Sequence, residues 1–448
     1  MNSPSHISSK AERLDLALRS GALGDVAGIL ADMSPGDVAY FIASSPPDYR
    51  DVLLGFLEPE QEALVVNELP DELRNAALAD RAPEAVAEIV EQLDDDDVAD
   101  ILHELPDDLT GRVLASLDEQ YRQRLQTVLS FSDDSAGGLM STDIITIRAD
   151  LTLDVVLRYL RRHSEIPPNT DNLIVVNRHE QFVGLLPIAI LLVSDPAISV
   201  REMMITDQAA IDVDTPATEV ARRFERNDWI SAPVVDGNDQ LLGRITIDDV
   251  VDVIMEEADH SLTSLAGLAE EDTFASVWKS APRRAMWLGV NLATALLASS
   301  VINLFQAAIE KVVALAVLMP IVASMGGIAG TQSLTILIRA MAMGQINDRN
   351  QLWVVGRESL IGALNGILWA LVIAATAAIW FEDLTLGFII ACAMLINLVT
   401  AGCAGAGLPL ALKKLHVDPA LAGGVLVTTV TDVVGFLAFL GLATLFYA

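Results

Sequence analysis

The stretch that decides the fold of the C-terminal third is Val425-Leu-Val-Thr-Thr-Val-Thr-Asp-Val-Val-Gly-Phe436. It stands in a long apolar run, and a helix needs roughly 20 predominantly apolar residues to cross a bilayer. Five such runs occur along the chain, near 285–305, 312–338, 358–380, 384–412 and 420–446. The sequence therefore predicts an all-α transmembrane domain of five helices, in contact with lipid, over 281–448. The second, fourth and fifth runs exceed the required length, so these helices are expected to tilt or break.

The basic residues that flank these runs predict how the chain crosses the membrane. Eight of them fall on one side, namely Lys279, Arg283, Arg284, Arg339, Arg349, Arg357, Lys413 and Lys414, and only Lys311 falls on the other. Because Lys and Arg are retained on the cytoplasmic side, the front two thirds are predicted to be cytoplasmic and the C-terminus to lie outside. The first residues are polar and lack the apolar segment of a cleaved signal. Together these features predict a multi-pass protein of the cell (cytoplasmic) membrane.

The front and back parts of the chain differ in charge as sharply as they differ in hydropathy. Residues 1–272 contain 54 Asp and Glu against 19 Lys and Arg, a formal charge of −35, whereas residues 273–448 carry +2. Such an acidic region repels nucleic acid and attracts cations, so no nucleic-acid partner is predicted. A solvated acidic surface that only keeps the protein soluble is the alternative explanation. The two cysteines, Cys392 and Cys403, lie in apolar sequence and predict neither a zinc motif nor a disulfide framework.

Residues 12–130 read as a succession of short helices. Turn signals recur at a spacing of 12 or its multiples, at Met33-Ser-Pro, Leu57-Glu-Pro, Leu69-Pro-Asp, Leu93-Asp-Asp, Leu105-Pro-Asp and Leu117-Asp-Glu. Each signal places a Pro, Ser or acid just before an apolar-periodic stretch, which is typical of a helix start. Since such helices are too short to bury their own faces, the sequence predicts an all-α superhelical N domain over 1–134.

Residues 139–258 contain an internal repeat. The segment Leu139-Met-Ser-Thr-Asp matches Met203-Met-Ile-Thr-Asp, and Phe182-Val-Gly184 matches Leu241-Leu-Gly243. The offset falls from 64 to 59 residues between these matches, so five extra residues lie in the first copy, around Pro167-Pro168. Each copy reads as strand, helix, strand, turn, strand, helix, which predicts two α/β modules in tandem.

Asp432 is the only acidic residue that the sequence places deep within any span. A carboxylate at the centre of a bilayer costs at least about 2.5–3.5 kcal/mol on insertion scales, so it usually faces a functional cavity. Thr428 lies four residues earlier, on the same helix face, and is expected to help hold the hydration water of an ion. A protonated structural Asp that bonds to a neighbouring helix is the alternative.

The second span contains Pro320-Ile-Val-Ala-Ser-Met-Gly-Gly-Ile-Ala-Gly-Thr-Gln332. A proline and three glycines are expected to loosen a membrane helix, and exposed carbonyls are tolerated there only beside a cavity or against protein. Carbonyls that face a water-filled path bind cations. Close helix packing through small residues is the alternative explanation of the same stretch.

The internal repeat resembles a tandem pair of cystathionine-β-synthase (CBS) modules, many of which bind adenine nucleotides. The ribose-binding pattern of that family is Gly-x-x-Thr-x-x-Asp, and the second copy keeps it as Gly243, Thr246 and Asp249. The first copy has Pro187 and Ile190 where Thr and Asp belong. The resemblance implies one adenine-nucleotide site, for ATP or a relative, rather than two. A CBS pair that binds no nucleotide is the alternative.

Nearly the whole chain resembles the MgtE-type magnesium transporters and channels. The resemblance rests on the domain order, on Ser135-Ala-Gly-Gly-Leu-Met140, on Met-Gly-Gly-x-Ala-Gly-Thr-Gln in the second span, and on Asp418-Pro-Ala before Asp432. It implies a homodimeric pore with Asp432 at its ion site, which Mg²⁺ bound among cytoplasmic acids locks shut. The domains implied are the N domain over 1–134, the CBS pair over 135–258, a connecting helix over 259–280 and the pore domain over 281–448.

The resemblance also implies the metal-binding residues. In the pore domain they are Asp432, Thr428 and Asp418, and the sensor acids are Asp96, Asp100, Asp228, Asp249, Asp252, Glu257 and Asp259. For each sensor acid taken alone, a solvated surface carboxylate is the more common explanation. The chain departs from the family pattern at Ile328, where Asn is common, at Gly424, and at His260 and Ser261, where acids can occur.

The predicted function is that of a Mg²⁺-selective channel or transporter for magnesium uptake, with Mg²⁺ as substrate and regulator. Mg²⁺ prefers oxygen ligands and sheds water reluctantly, which suits one carboxylate with hydroxyls and carbonyls around it. A secondary transporter of another divalent cation, such as Co²⁺ or Mn²⁺, is the alternative. A non-transporting sensor is a third reading. No enzyme is predicted, because the sequence contains no P-loop, no HExxH and no nucleophile–base constellation.

Overall fold

The computed structural model describes residues 10, 13, 14, 16–18, 23–79, 81–162, 166–265, 277–347 and 349–447. It divides into two compact units, Met1–Glu257 and Ala258–Ala448. The fold class is the one that the sequence predicts: an all-α N domain, an α/β CBS-type pair and an all-α domain of long apolar helices. Residues 266–276, in the predicted connecting helix, lie outside the described residues.

The N domain is a stack of short helices. They are α1 (Leu23–Ala31), α2 (Pro35–Ser44), α3 (Pro47–Leu54), α4 (Pro59–Asn67), α5 (Asp71–Ala79), α6 (Pro83–Val90), α7 (Asp95–Glu104), α8 (Asp107–Ser116) and α9 (Glu119–Val128). From Pro35 to Glu119, each helix begins 12 residues after the one before it. The predicted turn signals therefore mark true helix starts, and the repeat is more regular than those signals alone indicated.

The same local chemistry begins several of these helices. Ser34 caps α2 by accepting from the backbone N–H of Asp37 at 3.3 Å, and Pro35 occupies the first turn, where its missing N–H costs nothing. Along the stack alternate helices pack on one another, as α2 does on α4, α4 on α6 and α6 on α8. Aliphatic side chains such as Val38 and Val65 are thereby fully buried, as expected of a solenoid.

Two three-stranded sheets form the tandem pair. The first copy contains β1 (Thr146–Arg148), α10 (Leu153–Leu160), β2 (Asn172–Val176), β3 (Phe182–Pro187), α11 (Ile188–Val193) and, before the second copy, α12 (Val200–Met203). The second contains β4 (Ile211–Asp212), α13 (Ala217–Asn227), β5 (Ser231–Val235), β6 (Leu241–Thr246) and α14 (Ile247–Leu265). In each sheet the first strand pairs in parallel with the second, which pairs antiparallel with the third.

The segment before the first strand belongs structurally to the second copy. The backbone N–H of Ala136 donates to Thr215 at 2.7 Å, and that of Ser141 donates to Arg244 at 2.9 Å. Ala136 and Met140 are buried in the core of the second copy, beside Phe224. The Ser-Ala-Gly-Gly-Leu-Met motif thus ties the end of the N domain to the sheet that carries the predicted nucleotide residues.

Five long helices and one short helix make up most of the second unit. They are α15 (Val277–Leu304), the short α16 (Gln306–Lys311), α17 (Ala314–Ala342), α18 (Gln351–Phe381), α19 (Leu384–Lys414) and α20 (Pro419–Tyr447). Among the described residues, five helices are long and apolar enough to cross a bilayer, so the predicted number of spans is confirmed. α19 is the most buried of them and packs against α17, α18 and α20.

The second span does not break, contrary to the expectation from its Pro and Gly residues. α17 is a continuous helix from Ala314 to Ala342, with Pro320 inside it. Pro320 lies only six residues from the helix start, and neighbouring helices can satisfy the backbone group that a membrane proline frees. The carbonyls of this stretch are therefore held within a helix and do not form an unwound ligand ring.

Candidate functional site

A cavity of about 600 Å³ opens between α17 and α20. The α17 wall consists of Ala323, Ser324, Gly327, Ile328, Thr331 and Gln332, and the α20 wall consists of Thr428 and Asp432. The sequence thus correctly places Asp432 and Thr428 on one face, one helical turn apart. The cavity joins this carboxylate to hydroxyl and amide groups from the Gly-rich stretch, which are oxygen donors of the kind that Mg²⁺ and other hard cations bind.

Asp432 is half-buried. Among the described residues it has no hydrogen-bond or ion-pair partner, so its two oxygens are directed neither to a basic side chain nor to a donor on a neighbouring helix. The nearby hydroxyls are partly engaged, since Thr428 donates to the oxygen of Gly424 and Thr331 to that of Gly327, both at 2.9 Å. Each of these hydroxyl oxygens retains acceptor capacity for a cation or its hydration water.

The glycines of α17 differ in their surroundings: two allow close helix packing, as the alternative explanation predicts, and a third lines the cavity. A Cβ added at Gly326 would overlap the side chain of Asn397, and one added at Gly330 would lie 2.5 Å from Val427 Cγ1, so these two glycines allow close helix packing. A Cβ added at Gly327 would meet no atom within 4 Å, because this glycine faces the cavity. Ile328, the departure from the family pattern, also lines the cavity, and 56% of its surface is exposed there.

Asp418 lies outside the cavity, where it caps the start of α20. Its Oδ1 accepts from the backbone N–H of Ala420 at 2.8 Å, and its Oδ2 lies 3.6 Å from Nε2 of His260. An imidazole therefore stands beside this carboxylate, at one of the positions where the family can have an acid.

In the first unit, Asp96 of α7 and Asp249 of α14 lie within each other's electrostatic field. Asp96 is 7% exposed, and its Oδ1 has no hydrogen-bond partner among the described residues. Burial, and then the charge of Asp249, raise the pKa of Asp96 well above its ordinary value. Burial also raises the pKa of Asp249 to about 7, against the hydrogen bonds that it accepts from Thr246. Two like charges are thus held close together in a region that disfavours both.

Further carboxylates surround this pair. Desolvation, and then the charge of Asp133, raise the pKa of Asp100 to about 7, although part of the Asp100 surface is exposed to solvent. Burial raises the pKa of Asp97 to about 6. The pKa of Asp252 is raised by desolvation and then by the charge of Glu68. Asp97 was not among the predicted sensor acids, although it ends a run of four consecutive acids that begins at Asp94.

Three of the predicted sensor acids are not among the charges that raise these pKa values. Asp228 ends α13 in a left-handed conformation, with φ of 54°, and is exposed. Glu257 is half-buried and Asp259 exposed, both on α14. Within the described parts of the chain, no three His, Cys, Asp or Glu side chains are close enough together to hold a metal ion. A single chain therefore presents pairs of acids rather than a closed coordination site.

The predicted nucleotide residues meet at the end of β6. Asp249 Oδ2 accepts from both the backbone N–H and the hydroxyl of Thr246, each at 3.0 Å, and Gly243 is buried in the strand before them. The bond from the Thr246 N–H is one half of a capping box, so the pair also helps to begin α14. The equivalent Ile190 packs against the apolar core of the first copy, where it cannot replace a carboxylate.

The five extra residues of the first copy reach toward the same place. Asn169 donates to Asp248 Oδ2 at 2.7 Å, and Arg244 donates to the oxygen of Pro168 at 2.6 Å and to Thr170 Oγ1 at 3.0 Å. Arg244 is 7% exposed. The insertion is therefore bound to the second copy beside Thr246. The change in repeat offset located the insertion in the sequence but did not indicate what it contacts.

Two buried polar residues of the second unit were missed in the sequence. Glu358 of α18 is 2% exposed and accepts from the Ser333 hydroxyl at 2.9 Å and from Arg357 at 3.1 Å. Asp432 is therefore not alone as an acid inside the long helices, a correction to the sequence analysis, which placed Glu358 at the edge of a span. Asn397 of α19 is 0% exposed. An amide side chain within an apolar run could have indicated this buried polar residue from the sequence.

Comparison with known families covers most of the chain. Residues 33–134 match the MgtE intracellular N domain, residues 136–192 and 200–256 match the CBS domain, and residues 319–442 match the MgtE family, described as divalent cation transporters. The matches follow the chain in the order in which the structure places its helical stack, its paired sheets and its long helices.

Individual proteins agree with these matches. The magnesium transporter MgtE of Bacillus subtilis is 31% identical over 435 residues, which cover 97% of this chain and 96% of the relative. That of Thermus thermophilus is 32% identical over 335 residues, covering 73% of this chain and 74% of the relative.

A solved structure, the cytosolic domain of the Mg²⁺ channel MgtE in complex with ATP, is 31% identical and has a TM-score of 0.51. It covers 54% of this chain and 99% of its own. The likeness extends over the full length of one relative and includes each of the domains described above. The chain therefore belongs to the MgtE family of divalent cation transporters, a family of multi-pass membrane proteins that are not enzymes.

Proposed function

We propose that this chain is a Mg²⁺-selective channel or transporter that takes up magnesium through the cavity between α17 and α20. The observation that carries the proposal is Asp432, a carboxylate without a protein partner among the described residues, which lines a cavity together with Thr428 and Thr331. A charge of this kind inside a membrane domain is costly unless an ion or water occupies the space beside it. Relatives that are similar over most of their length are magnesium transporters by name.

The chemistry of the cavity favours a hard, hydrated cation. Its described lining offers carboxylate, hydroxyl and amide oxygens, and neither imidazole nor thiolate. These groups suit Mg²⁺, which keeps several waters in a near-octahedral shell. A secondary transporter of Co²⁺ or Mn²⁺ is the second candidate, because oxygen ligands alone do not reject those ions.

We further propose that two copies of the chain complete the pathway. One chain supplies one carboxylate to the cavity, whose described lining comes from α17 and α20 alone. A second, symmetry-related copy would add another Asp432 and close the path, as isologous contacts in a homodimer do. The same assembly would have its first 272 residues in the cytoplasm and its long helices in the cell membrane.

The acids around Asp96 and Asp249 are proposed as the sensor that closes the pore. Their raised pKa values indicate that their charges repel one another and are poorly solvated. A divalent cation between them would remove that repulsion, and it would favour whichever arrangement brings them closest. Cytoplasmic Mg²⁺ would thereby hold the closed form and limit its own uptake.

A single adenine nucleotide, such as ATP, is proposed to bind near Gly243, Thr246 and Asp249. The solved cytosolic domain that resembles this chain is a complex with ATP. Because Asp249 would belong to both the nucleotide site and the acid pair, bound nucleotide would be coupled to the sensor. The domains proposed for these roles are 1–134, 135–258, 259–280 and 281–448.

The test of the function is ion flux in liposomes that contain the purified full-length protein and a Mg²⁺-sensitive dye. Inward flux of Mg²⁺ is expected to follow the electrochemical gradient and to fall when Mg²⁺ is raised on the side of the cytoplasmic domains. Empty liposomes are the control. Flux that is driven by a proton or sodium gradient, or that is faster for Co²⁺ or Mn²⁺ than for Mg²⁺, would support the secondary transporter instead.

A further inference from the structure

Asn397 lies in the middle of α19, outside the cavity, and is 0% exposed. Its Nδ2 donates to the backbone oxygen of Val322 on α17 at 2.8 Å. Its Oδ1 is buried and has no hydrogen-bond partner among the described residues. A buried amide group that lacks one partner costs free energy. Stability alone therefore favours an apolar side chain at this position.

Two glycines make room for this side chain. A Cβ added at Gly326 of α17 would overlap the Asn397 amide, and one added at Gly435 of α20 would lie 2.8 Å from its Nδ2. Asn397 is thus wedged between α17 and α20, the two helices whose other faces line the cavity. A Cβ added at Gly407, on the same helix as Asn397, would meet no atom within 4 Å.

The two glycines that pack against Asn397 are close in sequence to cavity-lining residues. Gly326 immediately precedes Gly327 of the α17 wall, and Gly435 follows Asp432 of the α20 wall by three residues, about one helical turn. Closely packed helices transmit a local change of spacing to their neighbours, because protein interiors have little free volume. A change in the distance between α17 and α20 at Asn397 therefore also changes the distance between them at the cavity.

We propose that Asn397 is a positioning residue, which sets the separation of α17 and α20 and with it the width of the cavity. This inference rests on the proposed function, since the width matters for an ion that binds there. Mg²⁺ requires near-ideal octahedral geometry. A small change of width then alters how many cavity oxygens reach the hydrated ion at once. The hydrogen bond to Val322 sets the register of α17, and the glycines at 326 and 435 set how closely both helices approach.

The experiment measures Mg²⁺ flux into liposomes of phosphatidylethanolamine and phosphatidylglycerol that contain full-length protein. The variants are Gly326→Ala, Asn397→Ala and the combination of both, with Gly407→Ala as the matched control. For each, the half-saturating Mg²⁺ concentration is measured separately from the maximal rate, together with the rate for Ca²⁺. Gly435→Ala, which introduces a milder contact, replaces Gly326→Ala if the latter does not fold.

Gly326→Ala and Asn397→Ala are each expected to raise the half-saturating Mg²⁺ concentration by about fivefold, the usual effect of losing one well-placed contact. The combination should lie closer to wild type than Gly326→Ala, because removal of the Asn397 side chain makes room for the new methyl group. A half-saturating concentration equal to that of Gly407→Ala, with only the maximal rate reduced, would overturn the positioning role. No Mg²⁺ flux in the wild type would instead overturn the proposed function itself.

Discussion

The chain places its carboxylates in two contrasting settings. Around Asp96 and Asp249, several acids share one region and raise one another's pKa values. In the cavity of the second unit, Asp432 stands alone, with hydroxyl groups rather than charges beside it. Several acids close together create a strong negative potential, and the fraction of their sites occupied by cations depends on the cation concentration. An isolated carboxylate attracts a cation through one charge only, so it holds the cation less tightly.

This difference between the two settings corresponds to two tasks, the sensing of a cation and its passage through the membrane. A site made of paired acids gains most from a divalent cation when the acids move together, so binding is linked to conformation. A pathway needs binding that is favourable enough for entry and weak enough for release. The acidic composition of residues 1–272 and the near-neutral composition of the rest therefore correspond to two tasks, and each can be disturbed separately.

The largest effect is expected from Asp432→Asn, which keeps the size of the side chain and removes its charge. Mg²⁺ flux should fall by roughly 100-fold, because a charge-assisted contact to the ion is lost in a region of low dielectric. Flux into liposomes measures it. Asp383→Asn is the matched control, since Asp383 caps α19 outside the cavity and Asn also caps helices well. Normal flux and unchanged selectivity in Asp432→Asn would show that the ion passes elsewhere.

A smaller effect is expected from neutralising the crowded acids. The variant with Asp96, Asp228, Asp249 and Asp252 all changed to Asn should need about tenfold more cytoplasmic Mg²⁺ for half-inhibition, since the bridged state loses its ligands. Inside-out patch recording measures this. Because Asp228 is not among the charges that raise the pKa values of the other three, a variant that keeps Asp228 should respond in the same way.

Loss of repulsion opposes the loss of bridging in that variant, so a charge-matched control is required. Neutralising the four exposed acids Asp195, Asp207, Asp212 and Glu225 removes as much charge without touching the group around Asp96. This control should keep wild-type inhibition. Equal Mg²⁺ inhibition in the wild type and in the quadruple variant would contradict the sensor role and would leave the pore role of Asp432 unaffected.

The smallest effect concerns the nucleotide. Titration calorimetry of the full chain in detergent with ATP should show one site per chain. Only the second copy keeps the Gly-x-x-Thr-x-x-Asp pattern, as Gly243, Thr246 and Asp249. Thr246→Ala should weaken binding by about tenfold, the result of removing one or two hydrogen bonds to a sugar. Asp212→Asn, an exposed acid of the same copy, is the control. Two sites per chain, or full affinity in Thr246→Ala, would rule out this assignment.

Periodic features of the fold could be predicted from the sequence. The five apolar runs became five long helices, the turn signals at Met33, Leu57 and Leu69 precede true helix starts, and the repeat offset located the insertion around Pro167. Such features depend on neighbours in the chain, for which hydropathy and capping chemistry are sufficient. The site was predicted in part: Thr428 and Asp432 share a cavity wall because they are one turn apart on one helix.

Contacts between distant parts of the chain were not accessible in this way. Asp96 and Asp249 are separated by more than 150 residues, yet their charges interact. Glu358 was read as the edge of a span, although the Ser333 hydroxyl holds it inside the helix packing. The Gly-rich stretch was expected to interrupt α17, but it forms a continuous helix.

By itself, the sequence determined the membrane domain, the acidic helical stack, the tandem repeat and the identity of the lone carboxylate in the last span, because composition and periodicity act locally. Only the tertiary structure decided that Gly326 packs against Asn397 while Gly327 opens to the cavity. These adjacent glycines are chemically identical, and a helix turns by about 100° per residue. Which one meets a neighbour therefore depends on where α19 and α20 lie, and no pattern within α17 specifies that.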